Sequence, residues 1–269
     1  MSSYEMTEWV KLIARWIHVF AGILWIGQTY LFNFMERNFE RDDQTPDNVR
    51  GNLWMVHGGG LYHVEKQKFR VNMPQTLHWF RWEAMITWLS GFVLILLTYY
   101  MGGLLVEPGM DYWTATWTAI GTIVAAWVLY DLMVESPLGK NEYLVAVIGF
   151  AGILGITYLF CQVMAGRAAY MHVGALFGTI MVANVWIRIL PSQSKMLAAA
   201  EAGQRPDEKL STRGPLRSKH NSYMVIPLVF LMISNHFPTI AYGHEYNWII
   251  LGVLVLLGWG AAKLFTILD

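Results

Sequence analysis

Three of the eight histidines fall inside long apolar segments, where an ionisable side chain is costly and often marks function. At 1.5 Å per helical residue, His18 lies roughly 13 Å into the first apolar segment, and His236 lies roughly 10 Å from the end of the sixth. His172 lies closer to the same membrane surface. Two histidines at matching depth on different helices can bind the iron of a haem b at both axial positions. Alternatively, each imidazole hydrogen-bonds a neighbouring helix.

A second group of polar and aromatic residues falls at the opposite ends of the apolar segments. Its members are Tyr62, His63, Glu65, Lys66, His78, Trp79, Arg81, Trp82, Glu83 and His220. The preceding triplet Gly58-Gly59-Gly60 allows a close backbone approach or a positive φ. This composition suits a small, planar, polar substrate. The alternative is a solvated loop beside the belt of aromatic residues that is common at membrane interfaces.

Seven apolar stretches are long enough to place these residues in a bilayer, because a helical span needs about 20 residues. They lie near residues 9–34, 79–101, 112–134, 142–165, 170–190, 220–243 and 247–267. Backbone groups in lipid must be paired internally, which favours helices. The sequence therefore predicts an all-α fold, a polytopic integral membrane helix bundle of about seven transmembrane helices that forms a single domain over residues 1–269.

Lysine and arginine concentrate in the two long connections, residues 35–78 and 191–219, with six in each. Loops rich in these residues usually stay in the cytoplasm, and seven spans place both connections on one side of the membrane. We therefore expect a multi-pass protein with its N-terminus outside and its C-terminus in the cytoplasm. The second group of residues would then lie at the inner face.

Composition excludes several classes of function. With 55% hydrophobic and 14% charged residues, the chain does not resemble an ordinary soluble enzyme. Its 19 basic and 19 acidic residues cancel, so nucleic acid is not an expected partner. The single cysteine, Cys161, excludes an intrachain disulfide, a four-thiolate metal site and a CxxCH attachment for c-type haem.

Three segments resemble the membrane domain of the bacterial membrane-bound urate oxidase family, also called urate hydroxylase. They are GGGLYHVEKQKF at 58–69, LHWFRWEAMITWLSGF at 77–92 and HNSYMVIPLVFLMISNHFP at 220–238. The segment WIHVFAGILWIG at 16–27 is similar to the first helix of that family. The resemblance covers most of the chain.

The resemblance implies an oxidoreductase of purine catabolism in the bacterial inner membrane, which oxidises urate and passes electrons to the respiratory chain. Family members typically continue through an eighth span into a cytochrome c domain, whereas this sequence contains no CxxCH motif. We therefore expect a separate c-type cytochrome or another membrane redox subunit as a partner, in addition to the lipid bilayer.

The resemblance also suggests roles for individual residues. The expected catalytic set, in which a histidine or Glu83 removes a proton from urate, is Tyr62, His63, His78 and Glu83. The expected substrate-binding set, which offers an aromatic face, a cation and hydrogen-bonding groups, is Trp79, Trp82, Arg81, Lys66 and His220. The expected ligands of a haem b iron are His18 and His236, with His172 as a substitute. We expect Tyr62, His63, His78, Glu83 and His220 to converge near the cytoplasmic ends of the second and sixth spans.

A second function class remains open at this stage. The chain can instead be a non-catalytic or cofactor-holding subunit of a larger respiratory or photosynthetic membrane complex. A b-type absorption spectrum of the purified protein would favour the redox function, and its absence would favour the subunit.

Overall fold

The computed structural model describes residues 2–68, 74, 76–205 and 207–268. Within these residues, seven helices and one antiparallel β-hairpin are present. In chain order the elements are α1 (Ser3–Asn38), β1 (Val49–His57), β2 (Gly60–Gln67), α2 (Trp82–Tyr100), α3 (Tyr112–Glu135), α4 (Glu142–Val163), α5 (Gly166–Glu201), α6 (Glu208–Ile233) and α7 (Asn247–Leu268). The predicted all-α membrane bundle is confirmed. Phe69, which ends the first resembling segment, lies outside the described residues.

Six helices in the described chain are long and apolar enough to cross a membrane, namely α1, α2, α3, α4, α5 and α7. They coincide with six of the seven predicted spans, and they make this a multi-pass membrane protein. The span predicted at 220–243 corresponds to α6, which already ends at Ile233. Buried Arg217, Asn221 and Ser222 lower its apolar character. The helix α6 packs against α5 and α7. Its buried polar side chains make it more polar than the six apolar helices.

Polar side chains that accept backbone hydrogen bonds mark the starts of several helices. Asp111 accepts from the Thr114 N–H at 2.6 Å, and Asn141 accepts from the Leu144 N–H at 3.1 Å. Such a cap satisfies a backbone donor that has no partner within its own helix. The hydrogen bond from Thr114 also lowers the pKa of the Asp111 carboxyl, which lies outside the membrane-spanning segment.

The core of the bundle surrounds α5, which packs against α2, α3, α4 and α6. Tyr170, His172 and Phe177 of α5 are almost completely buried. By contrast, large apolar residues on the outer helices are exposed, among them Phe20 and Leu129. A continuous apolar exterior is the surface that a protein presents to lipid.

Two connections that were predicted as long loops contain regular structure. The connection over 35–78 forms the β1–β2 hairpin, in which Gly58 and Gly59 make the turn with φ values of 59° and 79°. These values lie in the left-handed region that glycine adopts readily, so of the two possibilities that the triplet offered, Gly58 and Gly59 realise the positive φ. The connection over 191–219 is largely helical, because α5 and α6 extend into it from both sides.

Two of the helices contain a π turn, in which a backbone N–H bonds to the carbonyl five residues earlier. One ends α2 at Leu96–Tyr100, and the other interrupts α5 at Asn184–Ile189. Such turns are uncommon and frequently occur at functional sites. The turn in α5 is central to the site described next.

Candidate functional site

A cavity of about 260 Å³ lies where the N-terminal end of α2 meets the π turn of α5. It is lined by Trp79, Arg81, Trp186, Leu190, Pro191 and Ser194. The cavity thus joins two of the predicted substrate-binding residues to a chain segment more than one hundred residues away. A third, Trp82, contacts the edge of the Trp186 ring with 5.5 Å between ring centroids.

The Arg81 guanidinium lies against the rings of two tryptophans. Its central carbon is 5.5 Å from the Trp82 ring centroid and 5.8 Å from the Trp186 ring centroid. A cation near an indole ring is attracted to the negative charge above and below that ring. The two rings therefore hold the side chain of Arg81 beside the cavity, and no carboxylate among the described residues pairs with it.

Two side chains on the cavity wall have buried donors without hydrogen-bond partners. They are Nε of Arg81 and the indole Nε1 of Trp186. Five further buried side-chain atoms in the described chain also lack a partner, among them Arg217 Nε, so this pair is distinguished by its place beside the cavity, where a ligand can supply an acceptor. Aromatic walls, a cation and two free N–H groups together suit a flat anion with several carbonyl oxygens.

The position of Arg81 in the chain adds to the attraction for an anion. Arg81 immediately precedes Trp82, the first residue of α2, so the cavity lies beside a helix N-terminus. The unpaired N–H groups there carry a partial positive charge, and they favour negative groups nearby.

An ionic cluster lies on the other side of the π turn. Arg188 of that turn holds Asp131 of α3 with two hydrogen bonds, of which the Nε to Oδ1 bond measures 2.9 Å. Arg217 of α6 has no exposed surface and donates to the same Asp131 oxygen at 2.9 Å. Glu135 accepts from Arg217 at 3.0 Å and from Arg213 at 2.6 Å. Three cations and two anions thereby join α3, α5 and α6.

His220 belongs to the edge of this cluster. Its Nδ1 forms a hydrogen bond of 2.8 Å with the hydroxyl of Tyr130, which also accepts from Asn184 at 3.0 Å. His220 therefore contacts α3, and no contact joins it to the predicted substrate-binding tryptophans among the residues that the structure describes.

The predicted catalytic pair Tyr62 and His63 lies on β2 and is exposed to solvent. His63 stacks on Trp54 of β1, with 4.4 Å between ring centroids. Lys66, predicted to bind substrate, forms an ion pair with Glu36 at the end of α1. The hairpin therefore satisfies these residues locally, because each strand places them beside cross-strand or α1 neighbours.

His78 and Glu83 lie on either side of the cavity residues in sequence. His78 is exposed and contacts the edge of Phe80, whereas the Glu83 carboxylate accepts from Gln28 of α1 at 3.2 Å. Within the described part of the chain, no hydrogen bond, ion pair or ring contact links any two of Tyr62, His63, His78, Glu83 and His220. The structure does not bring this predicted group into direct contact.

His18 is oriented by α2. Its Nδ1 lies 2.8 Å from the Thr87 carbonyl oxygen, so Nδ1 carries the proton and Nε2 of the neutral ring does not. Gly91 makes this approach feasible, because a Cβ at that position would lie 2.9 Å from Cε1 of His18. The Nε2 atom has no hydrogen-bond partner among the described residues.

His172 and His236 differ in their surroundings. His172 is buried, with Nδ1 donating to the Ala168 carbonyl at 2.7 Å and Nε2 accepting from the Tyr100 hydroxyl at 3.0 Å. His236 is exposed in the 3-10 turn that follows α6. Both nitrogens of His172 are therefore occupied, whereas the described residues leave those of His236 free.

A hydrogen bond between α1 and α6 allows the depths of His18 and His236 to be compared. Asn33 donates to Ser222 at 2.9 Å. His18 lies fifteen residues before Asn33, roughly 22 Å along α1, and His236 lies fourteen residues after Ser222, roughly 21 Å along the chain direction of α6. Because the two helices are antiparallel, both histidines lie on the same side of this hydrogen bond and at similar depth. Ile26 and Val229 line one apolar cleft between these helices, as antiparallel packing requires.

Sequence reasoning missed Trp186 as a member of the site. The chain contains 13 tryptophans, and nothing in its immediate neighbours separates Trp186 from those that face lipid. A tryptophan two residues before an intramembrane arginine, Arg188, was the available signal, but its partner Arg81 lies too far away in sequence to be identified.

Comparison with known proteins was informative at the family level. No curated protein and no solved structure matches this chain significantly. A family model described as urate oxidase N-terminal matches residues 4–269, so the chain belongs to that family and is a urate-oxidase-like membrane protein.

Proposed function

We propose that this chain is the membrane core of a urate-oxidising enzyme, a haem-b oxidoreductase whose electrons pass to a c-type cytochrome. The observation that carries the proposal is the pair of unpartnered donors, Arg81 Nε and Trp186 Nε1, on the wall of an aromatic cavity. We further propose that α6 also crosses the bacterial inner membrane, as a seventh and more polar span. The N-terminus then lies outside, the C-terminus lies in the cytoplasm, and the cavity opens to the cytoplasm.

Urate matches the chemistry of the cavity. It is planar, anionic at neutral pH and rich in N–H and C=O groups. Its carbonyl oxygens can accept from Arg81 and Trp186, while its rings pack against Trp79. Charge-assisted bonds to a guanidinium are stronger than neutral ones, so Arg81 supplies most of the selectivity for an anion.

The reaction requires a proton acceptor as well as an electron acceptor. Oxidation of urate to a hydroxylated product consumes one water and releases two electrons and two protons. His78 is exposed and adjacent to Trp79 in the chain, so it suits the role of proton acceptor. Glu83 is the second candidate, held by Gln28. Tyr62 and His63 take no part in this proposal because they lie on the exposed hairpin.

The described histidines fit a haem unequally. A histidine that ligates a metal usually donates its other ring N–H to a backbone carbonyl, and His18 donates in this way to Thr87. His236 lies at a similar depth with no competing hydrogen bond. His172 fits poorly, because Tyr100 occupies its Nε2. A bound haem b would supply reversible one-electron chemistry, and His18 and His236 would hold its iron.

The cavity and the contacts of His18 share one helix, α2. Arg81 lines the cavity, and His18 bonds to the Thr87 carbonyl and lies close to Gly91. Six to ten helical residues correspond to about 9–15 Å. A c-type cytochrome would receive electrons at the opposite end of the bundle, near His236.

The proposal is tested by anaerobic reduction of the purified protein. The wild type should show a b-type spectrum, and urate should reduce it. Arg81→Met should require about 10- to 100-fold more urate for the same rate, because a hydrogen bond to a charged group is lost. Dithionite should still reduce this variant fully, which shows that its haem is intact.

Arg50→Met is the matched control, since Arg50 is an exposed arginine on the hairpin. It should behave as the wild type does. A wild-type protein that binds no haem and no urate would contradict the proposal and leave the non-catalytic subunit as the function. Equal responses of the two variants to urate would remove the cavity from the proposal.

A further inference from the structure

The π turn of α5 has different partners on its two faces. Trp186 points toward Arg81 and Trp82 at the cavity. Asn184 and Arg188 point the other way and bond to residues of α3 and α6. One short piece of backbone therefore carries a wall of the cavity on one face and a charged anchor on the other.

The anchor has a defined geometry. Arg188 meets Asp131 with two N–H groups and two carboxylate oxygens, which fixes orientation as well as distance. Asp131 is held in turn by the completely buried Arg217. Asp131 itself does not line the cavity.

The π turn bonds a backbone N–H to the carbonyl five residues earlier instead of four, a rare arrangement inside helices. Relaxation to α geometry would rotate the residues on one side of the turn by about 100° relative to those on the other side. Trp186 lies inside the turn, between Asn184 and Arg188, so part of this rotation would fall on its ring and move it away from Arg81.

We infer that the ion pair of Asp131 and Arg188 positions Trp186 against Arg81 and thereby sets the affinity of the cavity for a flat anion. Asp131 and Arg188 are positioning residues, since neither side chain is among the residues that line the cavity. The identity of the ligand, urate, rests on the proposed function. The positioning of Trp186 by the ion pair rests on the geometry of the described residues.

The first test replaces the forked contact but keeps the charge. Arg188→Lys retains a cation opposite Asp131 and loses the two-bond geometry, a change that is not conservative at a bidentate site. Equilibrium dialysis with isotope-labelled urate should show a dissociation constant raised about tenfold. Arg213→Lys is the matched control, because Arg213 pairs with Glu135 in the same cluster but lies on α6. Its affinity for urate should equal that of the wild type.

The second test asks whether the effect passes through Trp186. In a Trp186→Ala background, Arg188→Lys should change urate affinity no further, because the positioned ring is already gone. The loss of thermal stability caused by Arg188→Lys should persist in that background. An unchanged tenfold effect without Trp186 would overturn the inference and assign a general structural role to the pair.

A third measurement separates this inference from the proposed function. Fluorine NMR of the protein grown with fluorotryptophan gives a resonance for each tryptophan. The resonance that is missing from the spectrum of Trp186→Phe is assigned to Trp186. Arg188→Lys should shift or broaden that resonance, and Arg213→Lys should leave it unchanged. If wild-type protein binds no urate while this result holds, the proposed substrate fails and the positioning role stands. If the resonance does not respond to Arg188→Lys, the positioning role fails.

Discussion

The cavity at the start of α2 and the β1–β2 hairpin contain similar side chains in different settings. Both offer tryptophan and a basic residue. In the hairpin, His63 stacks on Trp54 and Lys66 pairs with Glu36. At the cavity, Arg81 lies against two tryptophan rings, and its Nε has no partner among the described residues.

The difference shows why residue type alone is a weak guide to a binding site. Hairpin neighbours satisfy one another across two adjacent strands, so nothing remains for a ligand. The cavity combines segments from α2 and α5, and it keeps polar groups whose partner is missing. An ionic cluster that includes buried Arg217 lies behind Trp186, whereas the ion pairs of the hairpin among the described residues are exposed.

The largest expected difference between the two regions concerns their ion pairs. Asp131→Asn leaves completely buried Arg217 and its neighbour Arg188 short of an anion, which should cost about 3–5 kcal/mol of stability. Glu36→Gln breaks the exposed pair with Lys66 and should cost at most about 1 kcal/mol. Thermal unfolding in detergent measures both. Similar losses in the two variants would show that the cluster is not a buried support.

A glycine substitution should disturb His18 without touching the cavity. Gly91→Ala places a methyl group 2.9 Å from Cε1 of His18, too close for the ring to stay in place. We expect the low-spin haem signal to be lost or strongly reduced. Gly22→Ala is the control in the same helix pair, because its Cβ would meet Thr87 at an ordinary 3.8 Å. A normal spectrum in Gly91→Ala would exclude His18 as a ligand.

Two tryptophan substitutions compare the regions directly. Trp79→Ala removes an aromatic wall of the cavity and should weaken urate binding about tenfold, by loss of stacking and buried area. Trp54→Ala removes the partner of His63 in the hairpin and should leave urate affinity unchanged. Equilibrium dialysis gives both values. Weaker binding in Trp54→Ala alone would return the substrate site to the hairpin.

The smallest effect is expected at the cap of α3. The Asp111 carboxyl has a pKa below its usual value because the Thr114 N–H donates to it. The charged cap therefore stabilises the folded protein fully above the pKa of the unfolded chain, near 3.8. This stabilisation is lost as the pH falls through the lower pKa of the folded protein. Asp111→Asn keeps a capping oxygen that does not titrate. Between about pH 5 and pH 2, the wild type should therefore lose slightly more stability than Asp111→Asn does. Thermal unfolding at each pH measures both losses. Parallel losses would contradict a charged cap.

Much of the fold was predictable because membrane insertion acts on local composition. Apolar length alone identified six helices, and the glycine triplet allowed the positive φ that Gly58 and Gly59 adopt. Apolar length did not reveal that α6 ends at Ile233, because buried partners can stabilise a polar helix and hydropathy does not report them. The hairpin was missed for a related reason, because cross-strand pairing joins residues that no single helical period connects.

The sequence by itself determined the membrane bundle, the family and the choice of Trp79, Arg81 and Trp82 as substrate-binding candidates. Only the tertiary structure decided that Trp186 lines the same cavity as Trp79 and Arg81, and that Asp131 bonds to both Arg188 and Arg217 behind it. The physical reason is that hydropathy and periodicity specify which face of a helix is apolar. They do not specify which distant helix that face meets, and a binding site depends on that meeting.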